Sequence, residues 1–427
     1  MTVAVWGEAD QRALLELLAI DTTTPMETGT ASDIPAAQQW LAQHAAAIGF
    51  ETVHFAAAGD PGSGREVPRS VREHLAAHGP AFLAWQPNLV LRLGPDRPPG
   101  RTLAFNVHMD TVAPFLTPRL AGGTVHGRGV ADAKGLGVAV LAGVRAALAR
   151  DPGVGERISV VLQSPAGEEG GAMGVYGTRA LTSAGYVGGL NVVCEPTGFR
   201  ALARSTASMT ARLEVVGVGA TDDEPERGEN ATLLLSWLAV DLARSLSGPV
   251  AAQGGRLCVA GIETGHSHNR VFGTGHLLVN LAYGDGATGR AFERLVTDWF
   301  HDAIARFSAT FREVAIGRAT AAAAARVARL RWEKTGLPVL NRRVDALGRL
   351  LARAGIDPAP PKARAFTCDA MWFQDLPGDV FILGPGGLGE NGAHTAEEHL
   401  GEHDLARFAG MVSDLCRAFD TLAGEDV

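Results

Sequence analysis

The sequence has few cysteines and no excess of basic residues. Its four cysteines are far apart and form no CxxC pair, so we expect neither a disulfide framework nor a structural zinc knuckle. The formal net charge of -8 argues against a nucleic-acid partner, because such proteins normally carry a basic face. The sequence also has no polybasic patch that would favour binding to a membrane surface.

Long apolar runs and a basic N-terminal segment are also missing. No apolar run approaches the roughly 20 residues of a membrane-spanning helix. The N-terminal segment carries Glu8, Asp10 and Glu16 and has no basic n-region, so it does not predict a signal peptide. A reduced, cytoplasmic location is therefore expected. At 427 residues the chain is long enough for two domains, each with its own core.

One stretch, residues 157–171, combines a buried strand with two adjacent carboxylates. It begins as a continuous apolar run, typical of a strand buried on both faces, and ends in a Pro/Gly-rich loop that carries Glu168 and Glu169. Adjacent residues of an extended segment point in opposite directions. One glutamate can therefore hold a cation while the other takes a proton from water, as metal-assisted hydrolysis requires. Two solvated loop glutamates are the alternative interpretation.

Two other predicted strands end in side chains of the same kind. The strand over residues 102–107 runs into His108 and Asp110, which share a face of an extended segment. The acid can orient the imidazole as a metal ligand, or simply bond to it. The strand over residues 190–194 runs into Glu195. Because sites in open α/β sheets form outside the carboxyl ends of the strands, we expect these side chains along one edge.

Two more candidate ligands lie at element boundaries. Asp132 precedes an apolar helix predicted over residues 136–150, where it either caps the helix or binds a metal. His394 lies just before the C-terminal helix. The glycines near Asp132 lack the third glycine and the preceding strand of a dinucleotide site, so that interpretation is discounted. Imidazole together with carboxylate suits zinc, or cobalt and manganese in its place.

The pattern changes after about residue 204 and indicates a second domain. Residues 209–218 alternate like a half-exposed strand, and helix, strand, strand and helix follow up to residue 307. This order predicts a separate α+β domain inserted in the first. We therefore expect a discontinuous catalytic domain, residues 1–203 and 319–427, and an inserted domain, residues 204–318. An Ala-rich helical stretch over residues 319–331 is expected to return the chain to the first domain.

Motifs along nearly the whole chain resemble those of the co-catalytic di-zinc amidohydrolases and metallopeptidases. This family includes acetylornithine deacetylase, succinyl-diaminopimelate desuccinylase, aminoacylase and glutamate carboxypeptidase. The motifs occur in family order, at residues 108–114 (HMDTVAP), 129–135 (GVADAKG), 167–169 (GEE), 195–197 (EPT), 368–370 (CDA), 384–386 (GPG) and 393–395 (AHT). The resemblance implies an α/β, zinc-peptidase-like catalytic domain with an inserted α+β (ferredoxin-like) lid, which in many members is the dimerisation domain.

The resemblance also implies a ligand set for two zinc ions. Asp132 would bridge the ions. His108 and Glu195 would complete the ligands of one ion, and Glu169 and His394 those of the other. Glu195 looks more like the residue of the deacylases and the carboxypeptidase, since the peptidase branch tends to carry aspartate there.

Two catalytic roles are implied beside the ligands. Asp110 would orient His108. Glu168 would be the general base on the bridging water and then the proton donor to the leaving amine. The chemistry of the residues agrees, because a zinc-bound water ionises near neutral pH.

The predicted lid departs from the family pattern at two positions. Thr221 stands where the family has a histidine that helps to stabilise the oxyanion, and Ala282 stands where it has an arginine that binds the substrate carboxylate. Asn269 matches a family asparagine that reaches the substrate. His266 and His268 precede it, so one of them is a candidate for the missing oxyanion donor; a solvated loop is the alternative for both.

The leading hypothesis is a metal-dependent hydrolase of a C–N amide bond in a small N-acyl amino acid or peptide-like substrate, active as a homodimer through the lid. A second hypothesis is a specialised member with an atypical substrate or an amide-forming reaction. A third is an inactive metal-binding protein. Glu168 and Asp110 argue against the third hypothesis, because neither is needed merely to hold zinc.

Overall fold

The buried apolar runs and the alternating strands belong to two separate units of the chain. The computed structural model describes residues 5–343 and 347–425. The first unit takes in the chain up to Ser63, Ser70–Ser205 and the part from Leu340 onward. The second unit consists of Gly64–Arg69 and Thr206–Val339.

Helices and strands are numbered in chain order. The helices are α1 (Glu8–Leu18), α2 (Pro25–Thr28), α3 (Ile34–Ala46), α4 (Arg69–His78), α5 (Ala81–Ala84), α6 (Lys134–Arg150), α7 (Val154–Arg157), α8 (Thr178–Ser183), α9 (Ala231–Ala252), α10 (Gly286–Phe311), α11 (Arg318–Val327), α12 (Gly348–Ala354) and α13 (Glu402–Glu425). The strands are β1 (Phe50–Ala56), β2 (Asn88–Leu93), β3 (Thr102–Asn106), β4 (Arg119–Ala121), β5 (Thr124–His126), β6 (Ser159–Ser164), β7 (Leu190–Val193), β8 (Arg200–Ala201), β9 (Ala207–Val216), β10 (Ala220–Thr221), β11 (Arg256–Glu263), β12 (Arg270–Val271), β13 (Thr274–Tyr283), β14 (Ala328–Lys334), β15 (Asp357–Pro358), β16 (Asp379–Ile382) and β17 (His399–Gly401).

A six-stranded sheet in the order β1-β2-β6-β3-β7-β16 forms the centre of the first unit. Strands β6, β3, β7 and β16 run parallel, whereas β1 and β2 pair antiparallel at one edge. Every residue of β3, β6 and β7 is buried. Continuous apolar runs therefore become inner parallel strands, as expected for strands covered on both faces.

Helices α1, α3, α6 and α13 contribute most of the helical side chains to the main core of the first unit. The small residues of α6 let the backbones of α6 and α13 approach closely. A Cβ atom added at Gly143 would lie only 2.5 Å from the carbonyl oxygen of Ala409. Most of the stability of helices in proteins comes from tertiary packing of this kind rather than from the helix propensity of their residues.

The second unit is an α+β structure. Its four-stranded antiparallel sheet has the order β11-β13-β9-β14, with α9 and α10 contributing buried side chains. Buried and half-exposed residues alternate along β9 and β13, because one face of this sheet is covered and the other is not. Asn230, immediately before α9, caps this helix: its side chain accepts a hydrogen bond from the Leu233 amide.

The second unit is longer than the sequence pattern indicates. Only residues 318–327 of the Ala-rich stretch are helical, as α11. The following β14 pairs with β9, so the chain remains in the second unit up to Val339 rather than leaving it at residue 318. The segment Gly64–Arg69 also belongs to this unit, where the Thr335 amide donates to the Arg65 carbonyl oxygen over 3.0 Å.

The helices and the cysteines bear on two expectations from the sequence, which concern membrane spans and disulfides. No helix among residues 5–343 and 347–425 is long and apolar enough to cross a membrane. All four cysteines are free thiols; Cys194, Cys368 and Cys416 are buried and Cys258 is exposed.

Candidate metal centre

The parallel strands of the first unit carry the predicted site residues at their carboxyl ends. β3 ends at Asn106 and is followed by His108, β6 ends at Ser164 and is followed by Glu168 and Glu169, and β7 ends at Val193 and is followed by Glu195. Because these three strands are adjacent and parallel, their ends lie at the same edge of the sheet.

A first group of candidate ligands consists of His108, Asp132 and Glu195, all buried, with ligand atoms within 4.8 Å of one another. The His108 Nε2 atom lies 3.0 Å from Asp132 Oδ1 and 3.6 Å from Glu195 Oε1. These are the three residues that the family resemblance implies for one ion.

A second group consists of Asp132, Glu169 and His394. The His394 Nε2 atom lies 3.0 Å from Glu169 Oε1 and 3.2 Å from Asp132 Oδ2. Asp132 therefore belongs to both groups and presents one carboxylate oxygen to each histidine. His394 has a left-handed backbone with φ 64°, a conformation that is uncommon for a non-glycine residue and recurs at functional sites.

The spacing of these atoms fits metal coordination. Ligand atoms about 2.0–2.2 Å from a tetrahedral ion are roughly 3.3–3.6 Å from one another. Of the four imidazole–carboxylate separations, one lies in this range at 3.6 Å, and the other three are slightly shorter, at 3.0–3.2 Å. Imidazole nitrogens with carboxylate oxygens also form a donor set that zinc, cobalt and manganese accept.

The charges of the site favour cations as well. Burial, and then the nearby Asp132 carboxylate, raise the pKa of Glu195 well above its usual range and that of Glu169 to about 7. Burial alone would also raise the pKa of Asp132, but its hydrogen bonds to His108 and His394 lower it instead. Several buried carboxylates thus share one site, and divalent ions would supply the positive charge that stabilises their ionised forms.

Asp110 contacts His108 differently from the expected carboxylate–imidazole bond. The His108 Nδ1–H donates to the main-chain oxygen of Asp110 at 2.9 Å, whereas the Asp110 Oδ1 atom is 3.6 Å away. This bond leaves Nε2 of His108 available as a ligand atom. The Asp110 Oδ2 atom accepts from the Glu169 amide at 2.9 Å, so this carboxylate also holds the loop that carries the two glutamates.

Glu168 belongs to neither of the groups that contain Asp132. It forms a third group with His108 and Glu169, with ligand atoms again within 4.8 Å. Burial, and then the carboxylates of Glu195 and Glu169, raise the pKa of Glu168 well above its usual range. Burial and neighbouring carboxylates raise the pKa of catalytic acid–base carboxyl groups in this way.

The loop of the two glutamates needs glycine where it turns. Gly167 has φ 62°, in the left-handed region that favours glycine. A Cβ atom there would also lie 2.4 Å from the ring of Tyr176. The Gly174 amide closes the loop with a hydrogen bond to the Gly167 carbonyl oxygen at 2.7 Å.

Asp369 lies close to the site although the sequence pattern assigns it no role beyond its motif. Its Oδ2 atom accepts from Thr178 Oγ1 at 2.5 Å, and Thr178 in turn accepts from Asn106 Nδ2 at 3.0 Å. Burial raises the pKa of Asp369 to about 7. The motif is a signal that this aspartate matters, but only tertiary packing brings it beside the glutamate loop.

The predicted substrate residues lie in the second unit. Thr221, in β10, is the cross-strand neighbour of Arg270, in β12. His266, His268 and Asn269 lie in the exposed segment between β11 and β12.

Arg270 is a further candidate for a substrate contact, and the sequence pattern does not single it out. Its guanidinium carbon lies 5.3 Å from the ring centroid of Phe272, and the ring of His266 lies 5.2 Å from the same ring. An exposed cation thus lies beside Thr221, the position where the family resemblance implies a histidine.

Comparisons with known proteins identify the family of the chain. Residues 104–418, more than half of the chain, match the model of the family described as Peptidase family M20/M25/M40. A protein of Aeropyrum pernix named as a LysW-lysine/LysW-ornithine hydrolase is 32% identical over 199 residues, which are 46% of this chain and 51% of that protein. This chain therefore matches about half the length of that relative.

Solved structures of this family share the fold. The M20 family metallo-carboxypeptidase of Sulfolobus solfataricus superposes with a TM-score of 0.68 at 12% identity, covering 97% of this chain and 100% of that one. A dinuclear metal-binding peptidase of the M20 family from Bacillus subtilis superposes with a TM-score of 0.58 at 12% identity, covering 96% of each chain.

Proposed function

The chain belongs to peptidase family M20/M25/M40, as its motifs predicted, and from this membership we propose that it hydrolyses a C–N amide bond in a small N-acyl amino acid or peptide-like substrate with two bound metal ions. The observation that carries the proposal is the position of Asp132. Its Oδ1 atom faces His108 and its Oδ2 atom faces His394, at 3.0 and 3.2 Å. A carboxylate shared in this way suits two ions that act on one substrate.

The proposed metal is zinc, with cobalt or manganese as substitutes, because the ligands are imidazole nitrogens and carboxylate oxygens. His108, Asp132 and Glu195 would hold one ion, and Asp132, Glu169 and His394 the other. When bound, the ions would polarise the substrate carbonyl and lower the pKa of water at the site.

Glu168 is the proposed proton carrier. Its carboxylate accepts a proton from water as the hydroxyl adds to the amide carbonyl carbon, and it then donates that proton to the nitrogen as the C–N bond breaks. The products are a carboxylic acid and an amine, and transfer of a proton from the acid to the amine then gives a carboxylate and an ammonium ion. The raised pKa of Glu168 suits this shuttle, and its carboxylate lies within 4.8 Å of ligand atoms of His108 and Glu169.

The second unit is proposed to be a ferredoxin-like lid and the surface of a homodimer. Strand β11 is an edge strand of its sheet, and it exposes 43% of Val259 and 46% of Ile262. An edge strand with exposed apolar side chains is suited to pairing with another chain. We further propose a reduced, cytoplasmic setting, because all four cysteines are free.

Asn269, His266, His268 and Thr221 are the proposed substrate contacts of the lid. Thr221 and Ala282 replace two side chains that ordinary members use, which favours an atypical substrate or an amide-forming reaction as the second candidate. The cation of Arg270 beside Thr221 favours a substrate with a carboxylate over a neutral one.

A panel of N-acyl amino acids and dipeptides, assayed with metal content measured in the same samples, tests the function. Release of free amine that requires bound metal and is lost in the Glu168→Gln variant supports it. Metal-loaded protein that cleaves no member of the panel, while the panel is cleaved by a control deacylase, would favour the second candidate. A protein that never binds metal would contradict both.

A further inference from the structure

Glu398 is a buried carboxylate that the proposed reaction does not use. It lies four residues after His394, immediately before β17, and only 1% of the residue is exposed. Burying a carboxylate is costly unless it is paired and hydrogen-bonded, so its partners indicate what it holds in place.

Three of those partners are backbone amides of the loop that carries Asp132. The Glu398 Oε1 atom accepts from the amides of Gly129, Ala131 and Asp132 at 3.0, 3.1 and 3.3 Å. Hydrogen bonds from amides to an ionised carboxylate are roughly twice as strong as neutral ones. One oxygen atom thus fixes the backbone of the residue that is shared by both ligand groups.

The second oxygen of Glu398 pairs with Arg128. Oε2 lies 2.6 Å from Arg128 Nη1, and the arginine is itself buried, with Nε donating to the Pro114 carbonyl oxygen at 3.3 Å. The guanidinium balances the charge of the carboxylate inside the protein. Both oxygens of Glu398 therefore contact the same loop, through its backbone and through a side chain.

The main chain around Glu398 also joins the segment that carries His394 to the segment that carries Asp132. The Gly127 amide donates to the Glu398 carbonyl oxygen at 3.2 Å, and β17 pairs with β5, which leads into the Asp132 loop. The segment that carries His394 and the segment that carries Asp132 are thus connected beside the ligand groups. The His394 Nε2 and Asp132 Oδ2 atoms, which belong to these two segments, lie 3.2 Å apart.

We propose that Glu398 is a positioning residue for the metal centre: it fixes the Asp132 loop against the His394 segment, so that one carboxylate can face both ions. This inference rests on the proposed two-ion function. Groups that orient metal ligands typically change metal affinity 10–100-fold when they are replaced. A merely structural Glu398 would instead affect the stability of the fold and leave metal binding unchanged.

The test compares Glu398→Gln, Glu398→Asp and the matched control Glu397→Gln with the parent. Glutamine keeps the length but removes the charge, whereas aspartate keeps the charge but is too short for both Arg128 and the loop amides. The neighbouring Glu397 is exposed and lies outside the network. Zinc affinity is measured by competition with a chromophoric chelator, the Co²⁺ absorption spectrum reports ligand geometry, and thermal unfolding of the metal-free proteins reports the fold.

The expected result is a 10–100-fold loss of zinc affinity and an altered Co²⁺ spectrum in both Glu398 variants, with Glu397→Gln within twofold of the parent. Variants of Glu398 that match the parent in zinc affinity and Co²⁺ spectrum would overturn the inference, whatever their thermal stability, and leave the proposed function intact. A parent that binds no ion would overturn both. If Glu398→Gln does not fold, the Glu398→Asp measurements decide the outcome.

Discussion

Exchanging the adjacent Glu168 and Glu169 for glutamine, one at a time, separates proton transfer from metal binding. The two variants are matched in size, charge and position in the chain. Glu169 lies 3.0 Å from His394 in one of the ligand groups, whereas Glu168 lies outside both groups that contain Asp132. We expect Glu168→Gln to keep both ions and lose turnover, and Glu169→Gln to lose affinity for the ion near His394.

The expected loss of kcat in Glu168→Gln follows from the proposed role of Glu168 as a general acid–base group. A positioned general acid–base group contributes about 10²–10⁴ in rate, or roughly 2.7–5.5 kcal/mol of transition-state stabilisation. Because Glu168 would serve both as base and as acid, kcat should fall by at least the lower figure. KM should change little, since Glu168 is not expected to bind the substrate in its ground state.

The assay is steady-state amine release on a substrate found with the acyl-amino-acid panel, with zinc content measured in the same preparations. Glu168→Gln should contain as much zinc as the parent, and added zinc should not restore its kcat. For Glu169→Gln, high zinc concentrations should restore part of the activity. Near-normal kcat in Glu168→Gln, or loss of zinc from it, would refute the assignment of the two glutamates.

Three other outcomes test different parts of the account. Metal-free protein should lose stability as the pH rises from about 4.5 to 7, because burial raises the pKa values of Glu169 and Asp369 to about 7. A carboxyl group whose pKa is higher in the folded state stabilises the fold only while it is protonated. Zinc should therefore raise Tm more at pH 8 than at pH 5, and equal shifts of Tm would contradict this. If His266 or His268 supplies the oxyanion donor, its exchange for alanine should lower kcat/KM well beyond threefold, and changes below about threefold for both would reject that role. Gly135→Ala should destabilise the fold by about 1–3 kcal/mol, because its Cβ atom would lie 2.1 Å from the Val130 carbonyl oxygen; unchanged Tm would show that the loop can move aside.

The ends of the inner strands can be located from the sequence because their apolar runs stop abruptly at polar side chains. Parallel strands bring their carboxyl ends to one edge, so the strand pattern by itself predicts that His108, Glu168 and Glu195 lie together. The alternation of an extended segment also indicates that Glu168 and Glu169 face different partners. It cannot tell which of them faces His394, because that depends on the path of the loop.

Other features depend on contacts between distant parts of the chain. Nothing local marks Glu398 as buried, since its partners Gly129 and Asp132 lie more than 260 residues earlier in the chain. The Ala-rich stretch after residue 318 has the composition of a helix, yet β14 forms at its end because β9 offers it an edge. In both cases tertiary packing overrides the local pattern.

Asp132 is proposed to serve two ions with one carboxylate, and metal analysis measures this. Protein loaded with zinc and freed of excess by gel filtration should contain two ions per chain, and Asp132→Ala should lose both, because its oxygens face His108 and His394 separately. A parent chain that retains no zinc, or an Asp132→Ala variant that still binds two ions with the parent's affinity, would contradict the account.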